Sequence, residues 1–185
     1  MPSSEVRPGR LDIRRPAAII LSAGLGRRMG GLARAALQVG ETSILERLVQ
    51  ALRTSDVAQI SAVIGPYREQ LLPLLDLCQV QAIAHSRFEP SLIDCQRLAL
   101  KSHQAPFPDR DLLLVLGDLA LLTGADVSTL IAHWDQRDDH VHAQVPMVNG
   151  VRGHPVLLSC HAVARINAMP DHMVFATGCA TMRTL

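Results

Sequence analysis

The stretch that decides the fold is AAIILSAG at residues 17–24, an apolar run that ends in small residues. Its length and its isoleucines are typical of a strand buried on both faces, as in a parallel sheet. The stretch LLLVLGD at residues 112–118 has the same character and ends in a glycine and a carboxylate. Two such strands predict a sheet at the centre of the molecule.

Helical and strand periodicities alternate on either side of these two strands. Further strands are expected at 60–64, 80–84, 141–148 and 155–158. Helices are expected from Ser43, with Thr42 or Ser43 as the N-cap, through Leu71 and Leu75, at 92–101, at 125–134 and from His161. This alternation predicts an α/β fold: a three-layer α/β/α arrangement around a mostly parallel, Rossmann-like sheet with right-handed crossovers.

The composition fits one buried core. The chain has 185 residues, of which 48% are hydrophobic and 19% charged, and a net charge of +1. We expect a flexible N-terminal tail at 1–15 and a single domain at 16–185. The balanced charge argues against nucleic acid or a membrane surface as a partner. Four cysteines without a C-x-x-C pair, and no apolar leader, predict a cytoplasmic protein with separate thiols.

A glycine-rich loop follows the first strand, LSAGLGRRMGG at residues 21–31. Glycines let the backbone turn and approach an anion closely, and Arg27 or Arg28 would add charge-assisted bonds to phosphate oxygens. An ordinary turn between strand and helix is the alternative. The loop is not a Walker A motif, and its glycine spacing fits a dinucleotide fingerprint poorly. The expected nucleotide-binding residues are Leu21, Ser22, Ala23, Gly24, Gly26, Arg27 and Gly30.

Two further positions carry candidate chemistry. Asp118 ends a buried strand, where open α/β sheets bind ligands, and its carboxylate is a suitable ligand for Mg²⁺. The alternative is a carboxylate that caps the next turn. His154, in the sequence Gly153-His154-Pro155, could face a ligand from the start of a strand. The alternative there is a turn histidine that bonds its own backbone.

Taken together, these motifs resemble those of the MobA-like nucleotidyltransferases. The family signature L-x-A-G-x-x-x-R-M-G is matched by Leu21, Ala23, Gly24, Arg28, Met29 and Gly30. Leu37 to Gly40 matches its continuation, and Gly117-Asp118 its later G-D motif. The sequence RGHPV at 152–156 and the Ser22-Ala23-Gly24 form resemble the molybdenum cofactor cytidylyltransferase branch.

The resemblance implies an activity. It implies transfer of CMP from CTP to the terminal phosphate of a molybdopterin-type cofactor, with release of pyrophosphate. Arg28 and Arg34 would hold phosphates, Asp118 would hold Mg²⁺ as the cofactor, and Ser91 and His154 would lie on the substrate side. A molybdoenzyme that receives the product is the corresponding protein partner.

The chain also departs from the family pattern, which keeps two alternatives open. Arg34 stands at the family lysine, Ser91 to Cys95 replaces a serine-rich loop, and Cys179 replaces a carboxylate. The sequence also ends before an acidic segment found in the family. One alternative is a relative that binds nucleotide or molybdenum cofactor as an accessory protein without turnover. The other is an enzyme with a different phosphorylated acceptor.

Overall fold

The computed structural model describes residues 15–26, 31–170 and 183–184. In these ranges the strands are β1 Ala17–Ser22, β2 Gln38–Val39, β3 Thr42–Ser43, β4 Gln59–Ile64, β5 Gln81–Ala84, β6 Leu112–Leu116, β7 Val141–Gln144, β8 Met147–Val148, β9 Val151–Arg152, β10 Val156–Leu158 and β11 Arg183–Thr184. The helices are α1 Ile44–Arg53, α2 Arg68–Leu77, α3 Leu92–Gln104, α4 Gly124–Asp135 and α5 Cys160–Asn167, with a short 3-10 turn at Arg34–Ala36.

Seven of the strands form one sheet in the order β11-β7-β10-β6-β1-β4-β5. The four strands β6, β1, β4 and β5 are parallel neighbours. Strand β10 is antiparallel to β6 and β7, while β11 is parallel to β7. Two short antiparallel pairs, β2-β3 and β8-β9, stand apart from the sheet. The α/β class and the mostly parallel sheet predicted from the sequence are confirmed.

Both faces of the sheet are covered by helices. Successive side chains of a strand point to opposite faces, so each central strand contributes to two cores. Ile20 and Val115 belong to a cluster with residues of α1, α2 and α4. Ile19 and Leu114 belong to a second cluster with residues of α3 and α5. The result is the three-layer arrangement that the apolar runs at 17–24 and 112–118 predict.

Local sequence sets where three of the helices begin. Helices α1, α3 and α4 each start with a capping box, in which a Ser or Thr and the acidic residue three positions later bond reciprocally. For α1 the N-cap is Ser43, which accepts a bond from the Glu46 N–H, so the choice between Thr42 and Ser43 falls on Ser43. Such caps satisfy backbone N–H groups that have no partner inside the helix.

Some predicted boundaries differ from the observed ones. The prediction of one strand over 141–148 is wrong, because the chain leaves the sheet after Gln144 and pairs again only from Met147. Pro146 lies in the gap, and proline cannot donate a hydrogen bond to a strand ladder. Helix α3 continues beyond Lys101 to Gln104, and α5 begins at Cys160. Most of the predicted tail at 1–15 lies outside the described residues.

The strand order creates a switch point between β1 and β6. From β1 the chain moves outward to β4 and β5, then crosses back to place β6 on the other side of β1. Helices α1 and α2 pack on one face and α3 on the other. Chain connections that leave two adjacent parallel strands in opposite directions open a crevice at the carboxyl ends of those strands, where ligands bind in open α/β sheets.

Candidate functional site

A crevice of about 370 Å³ lies at this switch point, at the carboxyl ends of β1 and β6. It brings together residues that are distant in sequence, from the end of β1, the 3-10 turn, the start of α3 and the end of β6. Its lining consists of Leu21, Ser22, Ala23, Gly24, Arg34, Ala35, Pro90, Leu92, Cys95, Leu116, Gly117 and Asp118. Six of the residues predicted from the sequence, Leu21 to Gly24, Arg34 and Asp118, are therefore in one place.

The floor of the crevice depends on the close approach of the two strand ends. The Gly117 N–H donates to the Leu21 carbonyl oxygen at 3.0 Å. A Cβ atom on Gly117 would lie 2.4 Å from the Ser22 Oγ, too close for any side chain larger than hydrogen. The Ser22 Oγ is itself buried and has no hydrogen-bond partner among the described residues. Gly117 therefore serves close packing, a role that its place in a G-D motif did not reveal.

The glycine loop leaves the crevice through a turn that requires glycine. Gly26 has a φ of +54°, and a Cβ there would lie 2.2 Å from the Leu32 carbonyl oxygen. Its own carbonyl oxygen accepts the Gly31 N–H at 3.2 Å, which draws the two ends of the loop together. The predicted phosphate-binding residues Arg27, Arg28 and Gly30 lie between these ends, outside the described residues.

Tyr67, the N-cap residue of α2, supports the loop and is not among the residues that the motifs predict. Its hydroxyl donates to the Leu25 carbonyl oxygen at 2.8 Å. A Cβ on Gly31 would lie 3.3 Å from the same hydroxyl oxygen. A single tyrosine between Pro66 and a helix carries no sequence signal for this contact, which depends on how α2 packs beside the loop.

The charged pair in the crevice is Arg34 and Asp118. The Arg34 Nη1 donates to the Asp118 Oδ2, although 84 residues separate the two in sequence. The side chains are 43% and 31% exposed, so the pair remains in contact with solvent. The guanidinium also lies over Gly24, since a Cβ there would be 3.2 Å from Arg34 Nη2. The predicted phosphate-binding cation and the predicted metal-binding carboxylate thus neutralise each other.

His154 lies near Asp118 at the edge of this group. It follows the β8-β9 hairpin, whose base is closed by the Gly153 N–H bonding the Pro146 carbonyl oxygen at 2.8 Å. The Nε2 atom of His154 is buried without a partner among the described residues. Burial lowers the pKa of His154, while the Asp118 charge acts in the opposite direction. At neutral pH the imidazole is therefore neutral.

Ser91, predicted to lie on the substrate side, caps a helix in this structure. Its hydroxyl donates to Asp94 Oδ2 at 2.8 Å and accepts the Asp94 N–H at 3.1 Å, as the N-cap of α3. Hydrogen bonds from Ser91, with a smaller effect of Arg87, lower the pKa of Asp94. Its neighbours Pro90 and Leu92, and not Ser91, line the crevice.

Cys95 contributes a thiol to the crevice wall. Burial, followed by the negative charge of Asp94, raises the pKa of this thiol to about 11. A thiol with so high a pKa is protonated at neutral pH and is a poor nucleophile. Cys95 therefore acts as a small apolar wall residue. Cys179, where the family has a carboxylate, lies outside the described residues.

The described part of the chain offers no ready-made metal cluster, because no three of its His, Cys, Asp or Glu side chains converge. In the crevice lining, Asp118 is the one acidic residue. A Mg²⁺ ion bound to a nucleotide commonly takes one or two carboxylates, with phosphates and water completing the shell. The residues fit such an ion in this way.

In the part of the chain that the structure describes, no helix is long and apolar enough to cross a membrane.

Comparison with known proteins identifies relatives of this chain. The family model described as the MobA-like NTP transferase domain matches residues 18–178. A probable molybdenum cofactor guanylyltransferase from Methanosarcina acetivorans is 42% identical over 74 residues, which are 40% of this chain and 32% of that protein. The match thus spans about a third of that relative's length.

Two solved structures share the fold at low sequence identity. A nucleotidyl transferase from Methanothermobacter superposes with a TM-score of 0.72 at 16% identity, covering 92% of this chain and 85% of its own. A cytidylyltransferase from Leptospira borgpetersenii superposes with a TM-score of 0.68 at 12% identity, covering 92% and 74%. The family match spans nearly the whole sheet and both sides of the crevice, and the chain belongs to the MobA-like NTP transferase family.

Proposed function

We propose that this protein is a nucleotidyltransferase that moves CMP from CTP to the terminal phosphate of a molybdopterin-type cofactor. The observation that carries the proposal is the crevice at the switch point. There the glycine-rich end of β1, the Arg34 guanidinium and the Asp118 carboxylate lie together in a chain of this family. A triphosphate needs such a combination of backbone N–H groups, a planar cation and a carboxylate for its metal.

The reaction is an exchange of one phosphoanhydride bond for another. A phosphate oxygen of the acceptor attacks the α-phosphorus of CTP and forms a new P–O bond. The bond from that phosphorus to the oxygen bridging to the β-phosphate breaks, and pyrophosphate leaves. Little covalent work falls to the protein, so catalysis rests on positioning and on stabilising charge.

Each residue then has a defined task. The backbone that follows Ser22 would approach the triphosphate, and Arg34, with Arg28 from the loop, would bond its oxygens. Asp118 would hold Mg²⁺, which would spread the negative charge of the phosphates when bound. The neutral imidazole of His154 would face the acceptor side, next to Asp118. Mg²⁺ as the cofactor is part of the proposal.

The choice of CTP rests on the Ser22-Ala23-Gly24 form and on the RGHPV sequence at 152–156. The partial match to a probable guanylyltransferase makes GTP the competitor. Base recognition in such crevices depends on backbone contacts and shape, so both nucleotides belong in the test.

The test is a pyrophosphate-release assay. Purified protein is incubated with Mg²⁺, a molybdopterin-type cofactor and either CTP or GTP, and pyrophosphate is followed by a coupled enzyme. We expect release with CTP that depends on the acceptor. Asp118→Asn should abolish it, whereas Asp76→Asn, which removes an exposed carboxylate on α2, should not. Release with GTP and not with CTP would mean that the nucleotide is GTP. No release with either nucleotide from folded protein would contradict the proposed enzymatic activity.

A second function is favoured by one observation. Asp118 is the one acid among the described lining residues, and Arg34 already neutralises it. A protein with so few groups for a metal could bind nucleotide or molybdenum cofactor as an accessory protein without turnover. Isothermal calorimetry with CTP separates the two functions: binding without pyrophosphate release supports the accessory role, and absence of binding excludes both.

A further inference from the structure

We infer that Arg34 and a divalent metal ion compete for Asp118, so that the site binds metal well only once a nucleotide has drawn Arg34 away. The inference concerns the regulation of the proposed nucleotide site and rests on that proposed function for the identity of the nucleotide. The Arg34–Asp118 pair would then act as a latch, an ion pair that keeps the metal site closed until a nucleotide binds.

The backbone around Arg34 holds its guanidinium in this position. Arg34 opens a 3-10 turn whose flanking residues Ala33 and Ala35 are both buried, which fixes where its side chain leaves the backbone. Gly24 leaves open the space under the guanidinium, since a Cβ there would lie 3.2 Å from Arg34 Nη2. The guanidinium therefore lies beside Gly24, just after β1, and reaches Asp118, which follows the neighbouring strand β6.

The charges explain why a metal alone would bind poorly. Asp118 is the one acidic residue among the described residues of the crevice lining, so a cation entering without nucleotide has a single carboxylate available. That carboxylate already accepts a bond from Arg34 Nη1. An arginine stays charged at all accessible pH values, so it cannot release the carboxylate by losing a proton. A metal ion can therefore bind Asp118 only by displacing Arg34, or after another ligand has drawn Arg34 away.

The pair is also weak enough to open. Its side chains are 43% and 31% exposed, and ion pairs in contact with water contribute little net stability. A triphosphate carries several negative charges and presents oxygens that match the planar guanidinium fork. Nucleotide binding would thus transfer Arg34 from Asp118 to phosphate and leave the carboxylate for the metal that accompanies the nucleotide.

The first experiment uses no nucleotide. Mn²⁺, which replaces Mg²⁺ and is visible by electron paramagnetic resonance, is titrated into the full-length protein. We expect Arg34→Gln to bind Mn²⁺ about threefold to tenfold more tightly than the wild type, in line with the modest strength of an exposed ion pair. The double variant Arg34→Gln, Asp118→Asn should lose that gain. An unchanged Mn²⁺ affinity in Arg34→Gln would overturn the inference.

A matched control separates the latch from a general effect of charge. Arg87 bonds Asp94, the third residue of helix α3, and is not among the residues that line the crevice. Arg87→Gln removes the same charge and should leave Mn²⁺ affinity near that of the wild type. An equal gain in both variants would mean that removing any nearby cation is enough, which contradicts the latch.

The second experiment adds CTP. In the wild type, saturating CTP should tighten Mn²⁺ binding strongly, and the advantage of Arg34→Gln should disappear because phosphates now occupy the arginine. If CTP does not bind at all, the proposed function fails. The Mn²⁺ titration without nucleotide still tests whether Arg34 competes with the metal for Asp118. If CTP binds and the variant keeps its full advantage, the latch is wrong. Arg34→Lys, which keeps the positive charge on a single nitrogen, should give an intermediate affinity and serves if Arg34→Gln does not fold.

Discussion

Strand β6 has an aspartate at each end, and the two aspartates have opposite roles. Asp111 precedes the strand. It accepts the Cys160 N–H at 2.9 Å on Oδ1, and Trp134 Nε1–H and Arg137 at 2.8 and 3.0 Å on Oδ2. Asp118 follows the strand, and Arg34 is its one side-chain partner in the described part of the chain. Both aspartates pair with an arginine, yet Asp111 has three donors and Asp118 has one among the described residues.

The number of hydrogen-bond donors to each carboxylate distinguishes a structural role from a ligand-binding one. Three donors on Asp111 tie α4 and α5 to the start of β6, and Arg137 stacks on Trp134 with its Cζ 3.7 Å from the ring centroid. A carboxylate with three donors has little capacity left for a ligand and stabilises the fold. Asp118 faces a crevice and has lone pairs to offer. Carboxylate oxygens that lack donors and face a crevice indicate a ligand-binding role. A neighbouring arginine does not distinguish the two roles, because both aspartates have one.

The sharpest test of this comparison is the loss of activity in Asp118→Asn. Removing a charge that acts on the phosphates should lower the rate of pyrophosphate release about 100-fold or more. Because Asp118 makes few contacts, the melting temperature should stay within a few degrees of that of the wild type. A normal rate with a lowered melting temperature would reverse the roles assigned to the two aspartates.

Asp111→Ala should show the opposite pattern. It leaves the Trp134 and Cys160 N–H groups and the Arg137 guanidinium without their acceptor, so the free energy of unfolding should fall by about 2–4 kcal/mol. Chemical denaturation measures this loss. At temperatures where the variant is folded, nucleotide binding should be retained. Asp109→Ala, an exposed position two residues earlier, provides the control and should cost little.

A smaller effect is expected from the backbone beside Asp118. Gly117→Ala places a Cβ 2.4 Å from the Ser22 Oγ, and overpacking of this kind costs about 1–3 kcal/mol of unfolding free energy. Ser22→Ala removes an unpartnered buried oxygen and should be nearly neutral on its own. The double variant should recover part of the lost stability, measured as a coupling in a double-mutant cycle. Strictly additive costs would show that the two residues do not clash.

The smallest expected effect is a pH dependence of stability that arises from one histidine near each end of β6. Burial lowers the pKa of both His103, whose Nε2 bonds the Arg110 carbonyl at 2.7 Å, and His154. A pKa below the ordinary 6.5 means that the unfolded chain binds more protons as the pH falls past that value. Unfolding free energy should be constant above about pH 6.5 and fall below it, by at most about 1.4 kcal/mol per pH unit for each histidine.

The variants His103→Gln and His154→Gln should each flatten this slope, as followed by denaturation between pH 7 and pH 5. His154→Gln should also weaken binding of the acceptor, because this histidine is proposed to face the acceptor side and is within reach of the Asp118 charge, and His103→Gln should not. An unchanged slope in both variants would show that neither imidazole must gain a proton on acid unfolding. His133→Gln, at an exposed position on α4, is the control.

Much of the fold was predictable because its signals are local. The apolar runs that became β1 and β6 are buried on both faces, and three capping boxes mark helix starts within four residues of sequence. The strand at 141–148 was misjudged because its apolar pattern continues through Pro146, while the sheet pairing does not. The antiparallel direction of β10 likewise depends on the path of the chain after β7, which periodicity does not reveal.

The site was predictable in its members but not in their contacts. Sequence motifs identified Ser22, Arg34 and Asp118, and strand order brought them together at the switch point. Ser91 was assigned to the substrate, whereas its hydroxyl caps α3. The signal was available, since Ser91 with Asp94 three residues later is a capping box. Tyr67 carries no comparable pattern, because its bond to the Leu25 carbonyl depends on the packing of α2.

The sequence by itself determined the alternating strands and helices, the glycines that the loop and the strand ends require, and the residue types available for phosphate and metal. These follow from backbone geometry and hydrophobic burial, which act between near neighbours in the chain. Only the tertiary structure decided that Arg34 bonds Asp118 across 84 residues and that Asp111 accepts three donors while Asp118 accepts one among the described residues. Such pairings depend on which strand ends become adjacent, and that is settled by the packing of the whole sheet.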